Sequence, residues 1–190
     1  MTLNKGNSKS RQSKEEMRQA LLILLETKDF HRITIQEITD LAGLSRRTYY
    51  RNYQSKIDIV SEILMFIWQD YLIAIKEKKP NSLSEITQTL YDVSTQYKYE
   101  IMLLHKHNLL LHLIPIAIDD LPDIIAYRHP NVSIDNTAIQ YMVTFIVSGY
   151  FHVIPTWLEK NPEISAQQMG EYLERMFLMY LPDYFDDVKE

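Results

Sequence analysis

Along most of the chain, apolar residues recur at intervals of three and four, the spacing that gathers them on one side of a helix. Met17, Ala20, Leu21, Leu24 and Leu25 mark a first amphipathic helix ending near Lys28. Thr34-Ile-Gln-Glu37 has capping-box spacing: Thr34 can accept from the Glu37 amide while the Glu37 carboxylate reaches back, which predicts a short helix from Ile35 to Ala42. Gly43 then stands where the chain must turn sharply, a place that favours a residue without Cβ. Ser45 caps a third helix running through Tyr50 to about Asn52. Ser55 caps a longer one from Lys56 to about Lys78, with Ile57, Val60, Leu64, Ile67 and Tyr71 as its apolar stripe.

The charged stretch from Lys76 to Asn81, with Pro80 inside it, breaks the pattern before a larger segment. Ser82-Leu-Ser-Glu85 opens a helix to about Tyr97. Further helices are expected over roughly Tyr99–Leu113, Pro115–Tyr127, Ile134–Trp157 and Ser165–Leu181, the last capped by Ser165-Ala-Gln-Gln168. Residues 1–13 are polar and basic with almost nothing apolar, so they are expected to be disordered without a partner. The predicted fold is all-α: three N-terminal helices over residues 14–60, joined by a long helix to a larger helical part over residues 61–190.

Composition supports that class, since hydrophobic residues make up 46% of the chain and glycines number only 4. Cysteine is absent, which excludes disulfides, thiolate metal sites and cysteine nucleophiles. The most apolar stretches, Leu109–Ile118 and Val143–Ile154, are interrupted by His112, Pro115, Ser148 and His152 and are too short to cross a bilayer. The polar, basic start has no apolar signal core. A cytoplasmic location with no membrane partner is the expectation.

The net charge of -5 argues against nucleic acid only until it is divided by position. Residues 1–60 hold eleven Lys and Arg against seven Asp and Glu, a net +4, and the remaining 130 residues carry -9. A cationic end that meets phosphate and an acidic body held away from it fit this division, as does an ordinary uneven surface.

Two short helices around a glycine turn are by themselves a generic helix-turn-helix signal. The segment after the turn adds chemistry. Ser45-Arg-Arg-Thr-Tyr-Tyr-Arg51 is dense in cations, hydroxyls and phenols, with little to bury, and suits a DNA groove better than a core. Arg46 and Arg47 can present bidentate forks to guanine edges, while Thr48, Tyr49 and Tyr50 can meet phosphate or a thymine methyl. The alternative is a solvated face with Tyr49 and Tyr53 as core aromatics. Lys56 opens the fourth helix, where free amides and the helix dipole would add to its attraction for phosphate.

The span from Ile33 to Lys56 resembles the DNA-binding signature of the TetR family. The matching positions are Thr34, Ile38, Ala42-Gly43-Leu44-Ser45, Thr48-Tyr49-Tyr50, Tyr53 and Ser55-Lys56. The resemblance covers about residues 13–60 and implies phosphate contacts from Thr34, Tyr50 and Lys56, with base readout from Ser45 to Tyr49. Arg47 departs from the glycine usual in the family, and Tyr49 from its frequent leucine, which leaves the operator sequence open. The stretch from Gly149 to Ser165 with the Met/Tyr/Phe helix after it also resembles the regulatory domain of a Firmicutes-type branch of that family. That likeness implies a dimer interface including Tyr141, Met142, Phe145, Met169, Leu173, Met176 and Phe177; an internal core is the alternative.

Trp68, Tyr71, Tyr97, Met102, His105, Tyr127 and Tyr141 are of the kind that line apolar pockets, although helical aromatics and methionines are also ordinary core. His105, His107 and His112 form no metal set: the first two fall on different helix faces, and no cysteine or carboxylate completes a ligand group. No phosphate loop, nucleophile elbow or metal cluster points to an enzyme, and no cofactor is implied. The expected function is a homodimeric regulator that binds a near-palindromic double-stranded DNA operator, a repressor released by a small-molecule effector. The alternative keeps the DNA-binding part and makes the larger part a protein-interaction module.

Overall fold

The computed structural model describes residues 5–128, 137–160 and 163–180, and all secondary structure among them is helical. The helices are α1 (Lys5–Thr27), α2 (Ile35–Leu41), α3 (Arg46–Asn52), α4 (Lys56–Lys78), α5 (Leu83–Gln96), α6 (Lys98–Lys106), α7 (Leu113–Arg128), α8 (Thr137–Lys160) and α9 (Ala166–Tyr180). Short 3-10 turns lie at Phe30–Arg32 and Leu110–His112.

Local signals set most of these ends. Thr34 accepts from the Glu37 amide while Glu37 accepts from the Thr34 amide, the capping box read in the sequence. Ser45, Ser82 and Ser165 accept from the amides of Thr48, Glu85 and Gln168. Gly43 sits at φ 66, and the amides of Gly43 and Leu44 close back on the carbonyls of Asp40 and Thr39, which ends α2 and turns the chain into α3.

Two expectations change. The single helix read over Tyr99–Leu113 is divided, because Asn108 takes φ 58 and the amides of Asn108 and Leu109 return to His105 and Leu104. Asparagine tolerates that left-handed conformation without glycine's help, and the buried pair Leu104 and Leu109 seals the turn. The region read as a disordered arm, residues 1–13, is helical from Lys5 onward, while residues 1–4 lie outside those described. Tertiary contacts extend α1 backward: Ser13 is buried and Ser10 is bonded to α3, so these turns add to a helix already nucleated by packing.

The first three helices bury Met17, Leu21 and Leu25 of α1 with Ile38 and Tyr49 against Ile59, Val60 and Ile63 of α4. The rest of α4 buries Leu64, Ile67, Trp68, Tyr71 and Ile75 toward α5 and α7, so one helix serves both parts. Among the described residues, no single helix is long and apolar enough to cross a membrane.

Candidate nucleic-acid interface

α2, the Gly43 turn and α3 form the helix-turn-helix. The orientation of α3 is set by what it buries. Tyr49 is fully buried, its ring 5.9 Å from that of Tyr53, and this face anchors α3 to α1 and α2. Burial first, then the charge of Asp58 and the neighbouring Tyr50, push the Tyr49 phenol up to about 12. Arg46, Arg47, Tyr50 and Arg51 are consequently turned outward. Tyr50 is 60% exposed, its ring edge-on to Tyr49 at 5.2 Å. Among the described residues, Arg46, Arg47 and Arg51 have no hydrogen-bond or ionic partner. Ser45 and Thr48 stand at the N-terminal end of α3, their hydroxyls 3.0 Å apart.

The sequence-predicted contacts therefore divide. Ser45, Arg46, Arg47, Thr48 and Tyr50 share one accessible edge. Tyr49, expected to read bases, is core instead, because a short helix packed on two others must bury one side and its aromatic is the largest group on that side. Thr34, expected at a phosphate, has both donors engaged by Glu37: its amide at 2.8 Å and its hydroxyl at 2.8 Å. Lys56, expected to attract phosphate, is also engaged. Its ammonium donates to the carbonyls of Phe30 at 2.8 Å, Ile33 at 2.6 Å and His31 at 3.5 Å, and lies 4.7 Å from the centre of the Phe30 ring. Those carbonyls lie at the 3-10 turn and its end, where that of Phe30 also accepts from the Ile33 amide at 3.2 Å. Partial burial first, then the charge of Lys28, lower the Lys56 pKa against the opposing pull of Glu37.

Sequence reasoning missed Arg51, although it follows Arg47 by four residues and so shares its helix face. It also missed Glu62, which joins three elements: Lys14 at 2.9 Å and Arg18 at 3.3 Å from α1, and the hydroxyl of Tyr53 after α3. Burial raises the Glu62 pKa, but the hydrogen bonds from Tyr53 and Lys14 and the two cationic charges outweigh it and hold the carboxyl below its ordinary value. Nothing in local sequence marks this pairing, which links residues 48 positions apart.

In the larger part, Trp68 and Tyr71 of α4 line a cavity with Leu90, Val93, Ile101 and Phe151, among others. Its volume is about 20 Å³, room for about one water. Tyr97, Met102 and His105 do not line it. Tyr97 instead donates to Asp70, and His105 is exposed. The side chain of Tyr127 lies outside those described. Asp120 of α7 accepts from the Trp68 indole at 2.7 Å. Among the described residues, His105, His107 and His112 belong to no group that could hold a metal, and His107 pairs with the Leu25 carbonyl at 2.8 Å.

Tyr141 and Phe145, one turn apart on α8, are 74% and 75% exposed. Tyr172, Met176 and Met179 form an exposed apolar row on α9. Met169 and Leu173 pack against the core of their own chain, so they face away from that row, because α9 lies along α5. The side chains of Met142 and Phe177 fall outside those described.

No protein-family model matches this sequence, and no curated protein matches it. Two solved structures resemble it over nearly their whole length. One is Lin0861 from Listeria innocua, with a TM-score of 0.75, 12% identity and 94% of each chain covered. The other is a TetR transcriptional regulator from Streptococcus agalactiae 2603V, with a TM-score of 0.61, 18% identity and coverage of 90% of this chain and 96% of that one. With a helix-turn-helix at one end, a long helix through the middle and a larger helical part beyond it, the chain has a TetR-like, all-α fold.

Proposed function

We propose that this protein is a sequence-specific DNA-binding transcriptional regulator that acts as a homodimer, with binding and not catalysis as its chemistry. The observation that carries the reading is the outer face of α3, where Arg46, Arg47 and Arg51 are exposed and have no partner among the described residues while Tyr49 anchors the opposite side. A cationic helix of this length behind a tight turn matches the major groove in size and in hydrogen-bond character. Arg46 and Arg47, with Ser45 and Thr48, read base edges; Tyr50 and Arg51 meet phosphates. The exposed apolar rows of α8 and α9 pair with those of a second copy, which sets two α3 helices about one DNA turn apart on a near-palindromic operator.

Selection of bound sequences from a random duplex pool at two salt concentrations tests this. One near-palindromic motif with steeply salt-dependent affinity is expected. Arg46→Ala or Arg47→Ala should cost about 1–3 kcal/mol at particular base pairs and leave the others unchanged. A well-folded dimer that selects no motif would sink the reading.

Control of DNA binding has two readings. Release of the operator by a small effector in the larger part is one; regulation by a protein partner is the other. The cavity beside Trp68 and Tyr71 would have to repack to admit a drug-sized ligand, since such ligands occupy pockets of roughly 300–1,000 Å³. Small-molecule screening for release of bound DNA separates the two.

A further inference from the structure

The cations of the N-terminal region fall into two sets. Among the described side chains of residues 8–60, Lys14 and Arg18 pair with Glu62, Lys28 with Glu37, Arg32 with Asp29, and Lys56 with three carbonyls. Lys9, Arg11, Arg46, Arg47 and Arg51 are exposed and have no partner among the described residues. Three of these lie on α3. The other two lie in the early turns of α1, on either side of Ser10 in the sequence.

Ser10 is the residue that docks those turns on α3. Its hydroxyl donates to the Asn52 side-chain carbonyl at 2.7 Å, and the Asn52 amide donates in turn to the Thr48 backbone carbonyl at 2.8 Å. One turn further on, Lys14 is fixed by Glu62 and lies 5.3 Å from the centre of the Tyr53 ring. Successive helical residues are rotated by about 100°, so Lys9 and Arg11 flank the docked row without taking part in it.

Packed helices lie about 8–10 Å apart axis to axis, whereas the major groove is about 12 Å wide. A helix docked beside one seated in that groove cannot enter the groove as well. It lies over the bordering sugar-phosphate chain.

We propose that the early turns of α1, carrying Lys9 and Arg11 and docked through Ser10 and Asn52, form a second DNA contact that grips the phosphodiester backbone beside the groove occupied by α3. This rests on the DNA-binding reading of α3. The contact recognises phosphate charge and carries no base preference, so it adds affinity and salt sensitivity without altering the motif selected.

The test uses the full chain, a labelled duplex carrying the motif recovered by selection, and a scrambled duplex of equal length. Anisotropy titrations over a salt series compare the wild type with the double variant Lys9→Gln, Arg11→Gln. Loss of two phosphate contacts from each protomer, four from the dimer on its motif, should make the slope of log affinity against log salt shallower by about 3.6, equivalent to about 150-fold between roughly 50 and 200 mM salt. The scrambled duplex should show the same change. Lys9→Arg should keep the wild-type slope. Ser10→Ala should lower affinity with both cations still present, and thermal melts of all variants should overlay.

An unchanged slope in the double variant, with the wild type still binding its motif, overturns this proposal and leaves the α3 reading standing. A change in the selected motif also overturns it, because Lys9 and Arg11 would then be reading bases. A wild type that binds neither duplex overturns both readings.

Discussion

Three side chains that resemble DNA contacts in the sequence, Thr34, Tyr49 and Lys56, are engaged within the protein. The Tyr49 hydroxyl is buried with no hydrogen-bond partner, an arrangement that costs stability. Tyr49→Phe should therefore leave DNA affinity unchanged and raise stability by up to about 1 kcal/mol in urea denaturation. A base-reading phenol would show the reverse, with affinity lost and stability unaltered. Lys56→Met leaves the carbonyls of Phe30 and Ile33 without their charged donor and should destabilise the fold by roughly 2–3 kcal/mol. Lys56→Arg should not restore it, since a planar guanidinium cannot aim its donors at carbonyls converging on one point. Were Lys56 an ordinary phosphate contact, both variants would melt like the wild type.

Glu37 supplies a pH dependence at the same scale. The hydrogen bond from Lys28, then those from the Thr34 amide and hydroxyl, lower its pKa from 4.5 to about 2 against a small desolvation effect. The folded value lies below the unfolded one, so the stabilisation is present above about pH 4.5 and is lost as pH falls through 2. Glu37→Gln keeps the cap acceptor and removes the titration. The melting-temperature gap between wild type and variant should be constant from neutral pH to about 5 and close as pH drops toward 2. A gap unchanged down to that pH would refute the assignment.

Among the elements, α9 depends on a close approach. A Cβ at Gly170 would overlap the backbone carbonyl oxygen of Ser84 and stand 3.0 Å from its hydroxyl, and the Ser84 amide donates to Glu174 at 3.1 Å. The obstructing atom is backbone at the start of α5 and cannot swing aside. Gly170→Ala should cost about 1–3 kcal/mol despite alanine's better helix propensity. Gly149→Ala on α8 is the control, for its Cβ would meet nothing within 4 Å, and it should be neutral or stabilising by up to about 1 kcal/mol. Equal effects from the two changes would remove the close-packing account of α9.

For the whole molecule, the decisive feature is the apolar surface that α8 and α9 leave uncovered by their own chain. Phe145→Glu places a charge at a site that is 75% exposed here, so the isolated chain should fold normally. If α8 is a dimer face, that charge would be buried unpaired in the assembly, and sedimentation should show monomers that bind a single half-site. A variant that remains dimeric would move the interface elsewhere.

The sequence by itself determined most of the helices and the cationic nature of the N-terminal part. Caps and turns act over three to five residues, so Thr34 with Glu37, the Gly43 turn, Ser45 and Ser82 could be read directly. The cations of α3 could be read the same way. What only the tertiary structure decided is which groups remain available. Tyr49 turns inward because α1 and α2 require a buried face from α3; Lys56 is engaged because the Phe30 carbonyl, 26 residues earlier, folds back onto it; and the early turns of α1 become ordered because Ser10 meets Asn52. A side chain's type is local information, but its partners are chosen by packing between segments distant in sequence. Packing and pairing therefore divide ten similar cations of residues 8–60 into five that have partners in the protein and five that have none among the described residues.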